Sequence, residues 1–451
     1  MQEVSLSPRR GAGKRHIVVV GAGFTGLTAA LDLCKAGHRV TVLDGDTQIG
    51  GLAGVFDIGP FTLEKFYHHW FTNDVEVNSL VDELGLAHNL VAHKSRTGMY
   101  YAKSMFRMSR PLDVLRFSPL RMIDRIRLGL LVPRARAVKN WQRLESITAR
   151  EWLVRMSGEN VFRVVWEPLL RGKFGRYADT ISAVWLWNKL RLRGGSRDGK
   201  GNEVLLYYRG GFGALASAIA ERIRTGGGTV ETGVRAIGLE QLNGRVTAVK
   251  TSTGAIACDE VILTPALPIV ADILHGHISV DDENRLRRIQ YLANICLVLR
   301  LDRSLSDMYW LNVNDPSFPF VGVIEHTNFE STDEYGGDHI VYLSRYLPAD
   351  DESFTLTDEE YLCYAIPHVQ RMFPEFNSSW IRGSHVWRAE YTQPIVERDY
   401  GALIPKIETS VENVYIATMA QIYPEDRGTN YAIRSGRQVA SHVIRKNEVK
   451  R

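Results

Sequence analysis

Residues 16–44 read His16-Ile17-Val18-Val19-Val20, then Gly21-Ala22-Gly23-Phe24-Thr25-Gly26, a polar–apolar stretch to Gly37, and Arg39-Val40-Thr41-Val42-Leu43-Asp44. The run from Ile17 to Val20 is β-branched throughout, the pattern of a strand buried on both faces of a parallel sheet. The spacing G-x-G-x-x-G follows directly. Residues 27–36 place Leu27, Ala30, Leu31 and Cys34 on one helical face, and Gly37 stops the helix. A second apolar strand ends in an acid, Asp44, 18 residues after Gly26. Each part has a mechanical reason. Gly21 permits a tight turn, Gly23 lets backbone approach a pyrophosphate, and Gly26 lets helix and strand close up. The helix N-terminus offers N–H groups and positive dipole to phosphate, and Asp44 is placed to accept from a ribose hydroxyl. The unit predicts a Rossmann-like α/β domain that binds a dinucleotide.

Further segments extend this unit along the chain. Gly50-Gly51-Leu52-Ala53-Gly54 lies just past the second strand. Tyr208-Arg209-Gly210-Gly211-Phe212-Gly213-Ala214-Leu215 opens an amphipathic helix, followed by Thr229-Val230-Glu231-Thr232-Gly233-Val234, a hairpin-like stretch at 244–250 and a buried strand at 259–266. Residues 413–419 read as a last strand, and Gly428-Thr429-Asn430-Tyr431-Ala432 begins a helix carrying Ser435, Gly436, Val439 and Ala440.

This ordered set resembles the flavin amine oxidase superfamily, which includes protoporphyrinogen oxidases, phytoene desaturases and UDP-galactopyranose mutases. The resemblance implies FAD as cofactor. It implies contacts at Gly21, Ala22, Gly23, Phe24, Thr25, Gly26, Asp44, Gly45, Gly50, Gly51 and Leu52, at Val234 against the adenine end, and at Gly428, Thr429, Tyr431 and Ala432 near the flavin. The family's acid after the last strand is replaced by Ala417-Thr418-Met419, leaving Asp426 or Glu425 as its substitute. The implied architecture is α/β: a discontinuous FAD-binding domain at 14–95, 203–268 and 405–446, with an inserted α+β substrate domain of mixed sheet and helices at 96–202 and 269–404. Strand-like runs at 295–301 and 339–346 and a helix-like run at 358–372 fall in the insert. Only the short loop at 194–201 reads as a linker.

Candidates for chemistry follow. Glu64-Lys65-Phe66-Tyr67-His68-His69-Trp70-Phe71-Thr72-Asn73-Asp74 packs two histidines among four aromatics and suggests a wall near the isoalloxazine. His68 and His69 are candidate acid/base groups because imidazole titrates near neutral pH; aromatic packing around a structural histidine is the competing reading. Tyr391, in Trp387-Arg388-Ala389-Glu390-Tyr391, resembles a residue of the family strand that enters the site. Arg427, with Tyr423 and Tyr431, precedes the flavin-facing helix. A second cluster, Trp166 to Gly175 with Trp185-Leu186-Trp187, could hold a phosphate through Arg171 or Lys173, or simply pack as helix. No metal-ligand cluster stands out, and His275-Gly276-His277 reads as a loop.

Composition narrows the setting. The chain has 451 residues and 45% apolar content but no run long enough to span a bilayer. No apolar segment precedes the first strand, which argues against a signal peptide. Four separated cysteines, Cys34, Cys258, Cys296 and Cys363, point to a reduced compartment. Between 107 and 155, twelve Arg and Lys face four carboxylates, so this block carries +8 and the rest of the chain −4. Residues 119–132 read as an amphipathic helix with Met122, Ile123, Ile126 and Leu130 on one face. The expectation is a cytoplasmic protein, with two readings of 107–155: peripheral contact with the inner face of the membrane, or a helix that packs on the core and leaves its charges solvated. No nucleic-acid module accompanies the arginines, and the oligomeric state stays open.

The leading expectation is an FAD-dependent oxidoreductase acting on a C–H or C–N bond of a small-molecule substrate that is lipophilic or lipid-linked. The alternatives are a redox-neutral flavoenzyme acting on a nucleotide sugar, similar to UDP-galactopyranose mutase, and a non-enzymatic FAD-binding module.

Overall fold

The computed structural model of the protein describes residues 13–108, 110–192, 196–199 and 202–449. The N-terminal residues 1–12 and part of the expected 194–201 loop lie outside that set.

A five-stranded parallel sheet organises the first half of the fold. Its order is Thr229–Glu231, Arg39–Leu43, His16–Val20, Glu260–Leu263, Val414–Ile416. The central strand shows why the sequence reads as a continuous apolar run. Val18 and Val20 enter one core cluster while Ile17 and Val19 enter another, so both faces are covered. Helix Phe24–Lys35 follows it directly. The C-terminal helix Thr429–Val449 lies close against that helix. A Cβ at Gly436 would stand 2.4 Å from the Thr25 carbonyl oxygen, so only glycine permits this approach.

The meander Ala236–Leu242, Arg245–Thr251, Gly254–Ala257 forms a separate three-stranded sheet. Asn243 and Gly244 both hold positive φ, as a two-residue hairpin turn requires. The expected last strand at 413–419 is shorter, Val414–Ile416. Asn413 adopts φ 63° and spends its side-chain amide on Val246 and Asp259 carbonyls, and the chain leaves the sheet after Ile416.

A seven-stranded mixed sheet organises the other half: Ile381–Pro394, Tyr291–Leu301, His339–Leu347, Gly322–Glu325, Trp310–Val313, Thr97–Tyr101 and Ser104–Arg107. Cys296 and Val298 face the same core as the first helix. Ile295, Leu297 and Leu299 instead pack with Tyr361, Ala365 and Val369 of helix Asp358–Met372.

The single helix expected at 119–132 is two helices, Met122–Gly129 and Leu131–Ala137. Pro133 explains the break, because it has no N–H for the Gly129 carbonyl and its ring crowds the preceding turn. Among the described residues, no helix is long and apolar enough to cross a membrane.

Candidate active site

The glycine loop folds as a backbone cradle. Gly21 has φ 102°, and a Cβ there would lie 2.3 Å from Thr264 Oγ1. A Cβ at Gly26 would lie 1.9 Å from the Gly21 carbonyl oxygen. At Gly23 the same test finds nothing within 4 Å, so this face of the loop is open. Helix Phe24–Lys35 begins without a side-chain cap, which leaves its first N–H groups for an outside acceptor. Gly50 donates its N–H to the Ala22 carbonyl at 2.9 Å, and a Cβ at Gly51 would lie 3.4 Å from Gly23 Cα. The second glycine pair therefore runs along the first.

Asp44 closes the far end. Its carboxylate accepts the N–H groups of Ala22 (2.7 Å) and Asp46 (2.8 Å), while its carbonyl accepts the Val234 N–H at 2.8 Å. Burial raises its pKa, against the pull of those two N–H groups. Asp44, Gly45 and Val234 are thus neighbours, with Gly45 beside the Arg235 side chain. An uncapped helix end, an open glycine face and a carboxylate at the strand terminus suit the pyrophosphate and ribose of a dinucleotide. Leu52 sits half-buried in the turn Gly51–Ala53.

A cavity of about 260 Å³ lies between the His69–Asp74 segment, Tyr309, Trp310 and the start of the C-terminal helix from Asp426 to Tyr431. Lys189 and Leu192 of helix Ala183–Leu192 line it too, with Ser95, Thr97, Glu203 and Leu205. Glu64 holds the histidine segment in place: its buried carboxylate accepts from Tyr207 Oη at 2.7 Å and the Phe212 N–H at 2.9 Å. Burial raises the Glu64 pKa despite those donors.

His68 Nδ1 lies 2.6 Å from the Phe66 carbonyl, so Nδ1 carries the proton and Nε2 its lone pair. His69 Nδ1 shares a 2.9 Å hydrogen bond with Tyr309 Oη. Burial pushes both imidazoles down to about 4, helped at His68 by Arg427 and at His69 by Lys189. Both rings are neutral at pH 7.

The other wall is charged. Asp426 is buried and takes Lys189 Nζ at 2.6 Å and Gln393 Nε2 at 3.1 Å. Burial works to raise its pKa, yet Lys189, Lys173 and Arg427 hold it well below the usual carboxylate range. Arg427 donates to Tyr346 Oη at 2.8 Å. Lys173 lies beneath the Trp185 and Tyr346 rings, and burial lowers it to about 7. Arg171 instead faces Glu167 and Asp179 at the surface. Glu425 pairs with Arg434.

Of the sequence candidates, His69, Arg427, Gly428, Thr429 and Tyr431 line the cavity, and His68 adjoins it through the chain. Ala432 follows in the first turn of the helix. Tyr391 does not join them; its ring packs edge-on against Tyr291 at 5.5 Å. The sequence reading passed over Lys189, Tyr309 and Trp310, all of which line the cavity. Lys189 had a signal, since it stands two residues after the Trp185-Leu186-Trp187 run. Tyr309 and Trp310 had none.

The family model for flavin containing amine oxidoreductases matches residues 24–444. The chain belongs to this family. FAD is its cofactor, and the cradle described above fits that group. A phytoene dehydrogenase of Streptomyces griseus is 28% identical over 298 residues, covering 56% of this chain and 55% of that protein. The chain thus spans about half the length of that curated relative. Among solved structures, a reduced UDP-galactopyranose mutase superposes with a TM-score of 0.74 at 17% identity, covering 96% of each chain. An oxidoreductase from Methanosarcina mazei gives 0.73 at 17% identity, covering 94% of this chain and all of that one. At these identities the structural likeness speaks for the fold.

Proposed function

We propose that the protein oxidises a lipophilic or lipid-linked substrate, a C–H bond giving up its hydride to the flavin as the adjoining C–C or C–N bond becomes double and a proton leaves. The cavity carries this reading. Trp70, Phe71, Tyr309 and Trp310 give it an apolar wall, while Lys189, Asp426 and Arg427 give it a charged end. Such a site takes an apolar body with a polar terminus. The similarity to a phytoene dehydrogenase supports a lipophilic substrate.

Bound FAD supplies a two-electron acceptor that the side chains lack. The glycine loop and Asp44 would hold its nucleotide half, and residues 428–432 are the candidates to hold its flavin end. In this proposal 14–95, 203–268 and 405–446 form the cofactor domain, and 96–202 with 269–404 the substrate domain. His69, neutral at pH 7, takes the proton released as the substrate loses its hydride, and His68 backs the same wall. Arg427 and Lys189 orient the polar end. Oxygen, a quinone or another acceptor receives the two electrons. Tyr391 is assigned no substrate contact.

The nucleotide-sugar reading keeps one supporting observation: Lys189 and Arg427 at the cavity would also suit a diphosphate. Anaerobic mixing of the FAD-loaded protein with lipophilic donors separates the two. Loss of the oxidised flavin absorbance with a lipophilic donor is expected. If no donor bleaches the flavin and only pre-reduced protein turns over UDP-galactopyranose, with no net flavin oxidation, the redox reading is replaced.

A further inference from the structure

Twelve large apolar side chains are strongly exposed among the described residues, and six fall within one stretch: Leu112, Leu115, Met122, Ile123, Ile126 and Leu130. Chance scatter over the surface would not collect half of them in nineteen positions. They project from helices Pro111–Arg116 and Met122–Gly129 and from Leu130, which caps the second, each residue 41–63% exposed. The two helices are tied together by Arg125, which donates to the Leu115 and Leu120 carbonyls at 2.7 and 2.8 Å. Their inner faces are already satisfied, with Phe117, Leu120, Leu128 and Leu131 in the core. The six exposed side chains belong to none of the core clusters.

Charge says what covers it. The two carboxylates between 107 and 139, Asp113 and Asp124, are both buried. The exposed charge there is therefore entirely positive. Arg116, Arg121, Arg136 and Lys139 are exposed and form no ion pair among the described residues. A second copy of the chain would bring cations against cations, which opposes association. Acyl chains beneath a layer of anionic phosphates match both features at once.

The patch also connects to the cavity. Helix Leu131–Ala137 continues from it and backs onto helix Ala183–Leu192, where Trp187 Nε1 donates to the Ala135 carbonyl at 2.8 Å. Lys189 and Leu192 of the latter helix line the cavity.

We propose that the face formed by residues 112–130 docks the protein on a bilayer bearing anionic phospholipids. Its use, delivering a membrane-dissolved substrate, rests on the lipophilic-substrate reading; the docking does not.

The test is sedimentation of the FAD-loaded full chain with vesicles of phosphatidylcholine alone or mixed with phosphatidylglycerol, at low and high salt. Phosphatidylglycerol is expected to raise binding about tenfold or more, and salt to reverse it. I123E/I126E removes the apolar insertion and is expected to lower binding about tenfold, with flavin absorbance and Tm unchanged. R116Q/R121Q is expected to lower it roughly fivefold per arginine. Equal binding to both vesicle types, no binding, or wild-type binding by I123E/I126E would overturn the proposal. So would a concentration-dependent dimer that I123E/I126E disperses, which would give the face to a second copy. The vesicles hold no substrate, so a chain that docks yet oxidises no lipophilic donor would sink only the substrate reading.

Discussion

The cofactor cradle and the substrate cavity are built from different materials. The cradle is backbone: a Cβ at Gly26, Gly50 or Gly51 would come within 3.4 Å of neighbouring main chain, one at Gly21 would strike Thr264, Gly23 leaves its face open, and Asp44 spends its carboxylate on two backbone N–H groups. The cavity is largely side chain: aromatic rings on one wall, and Asp426 beside Lys189 and Arg427 on the other. A backbone site has no slack, because an added methyl meets main chain that cannot move aside. A side-chain site can be altered atom by atom, so one framework can hold a fixed cofactor beside a variable substrate.

The largest effect that this contrast predicts is in the cradle. Gly26→Val drives a side chain into the Gly21 carbonyl and should cost about 3 kcal/mol or more. Thermal unfolding and the FAD-to-protein ratio check it; a stable variant with full FAD content would mean that the loop has room the geometry denies.

Next comes the response to acid. His68, His69 and His326 are each lowered to about 4, with burial the main cause. An unfolded histidine takes its proton near 6.5. Between about pH 6.5 and 4 the unfolded chain therefore binds protons that the folded chain refuses, and stability falls as pH falls, by up to about 3 kcal/mol per ring. His69→Gln should flatten part of that slope in Tm measured against pH.

Lys189→Met tests the charged wall. It strips Asp426 of its 2.6 Å partner and should raise the Asp426 pKa. With the Lys189 side chain 42% exposed, the stability loss should stay near 1 kcal/mol. The expected signature is a roughly tenfold fall in kcat/KM with unchanged FAD content. The smallest effect belongs to Tyr391→Phe, which should alter kcat/KM less than about twofold because the ring packs on Tyr291 away from the cavity. A large loss there would redraw the cavity.

The same contrast governs what could be read from the chain. The cradle was legible because its parts lie within 30 residues and each is forced: only glycine fits the turn, and only an acid suits the strand end. The parallel sheet and helix Asp358–Met372 were legible from apolar runs and period. The cavity wall was not, since His69 meets Tyr309 across 240 residues and no local pattern marks either as the other's partner. Where the Tyr391 ring turns was not legible either, because a position on a strand says nothing of it; the ring packs on Tyr291, outside the cavity lining. Pro133 did announce the helix break that the amphipathic pattern at 119–132 concealed.

The most direct test of the account is the absorption spectrum of the purified full-length chain, before and after anaerobic reduction, with Gly26→Val alongside. About one FAD per chain is expected, bleached by dithionite and restored on re-oxidation, and lost in the variant. A wild-type chain that takes up no flavin even when FAD is supplied would contradict it.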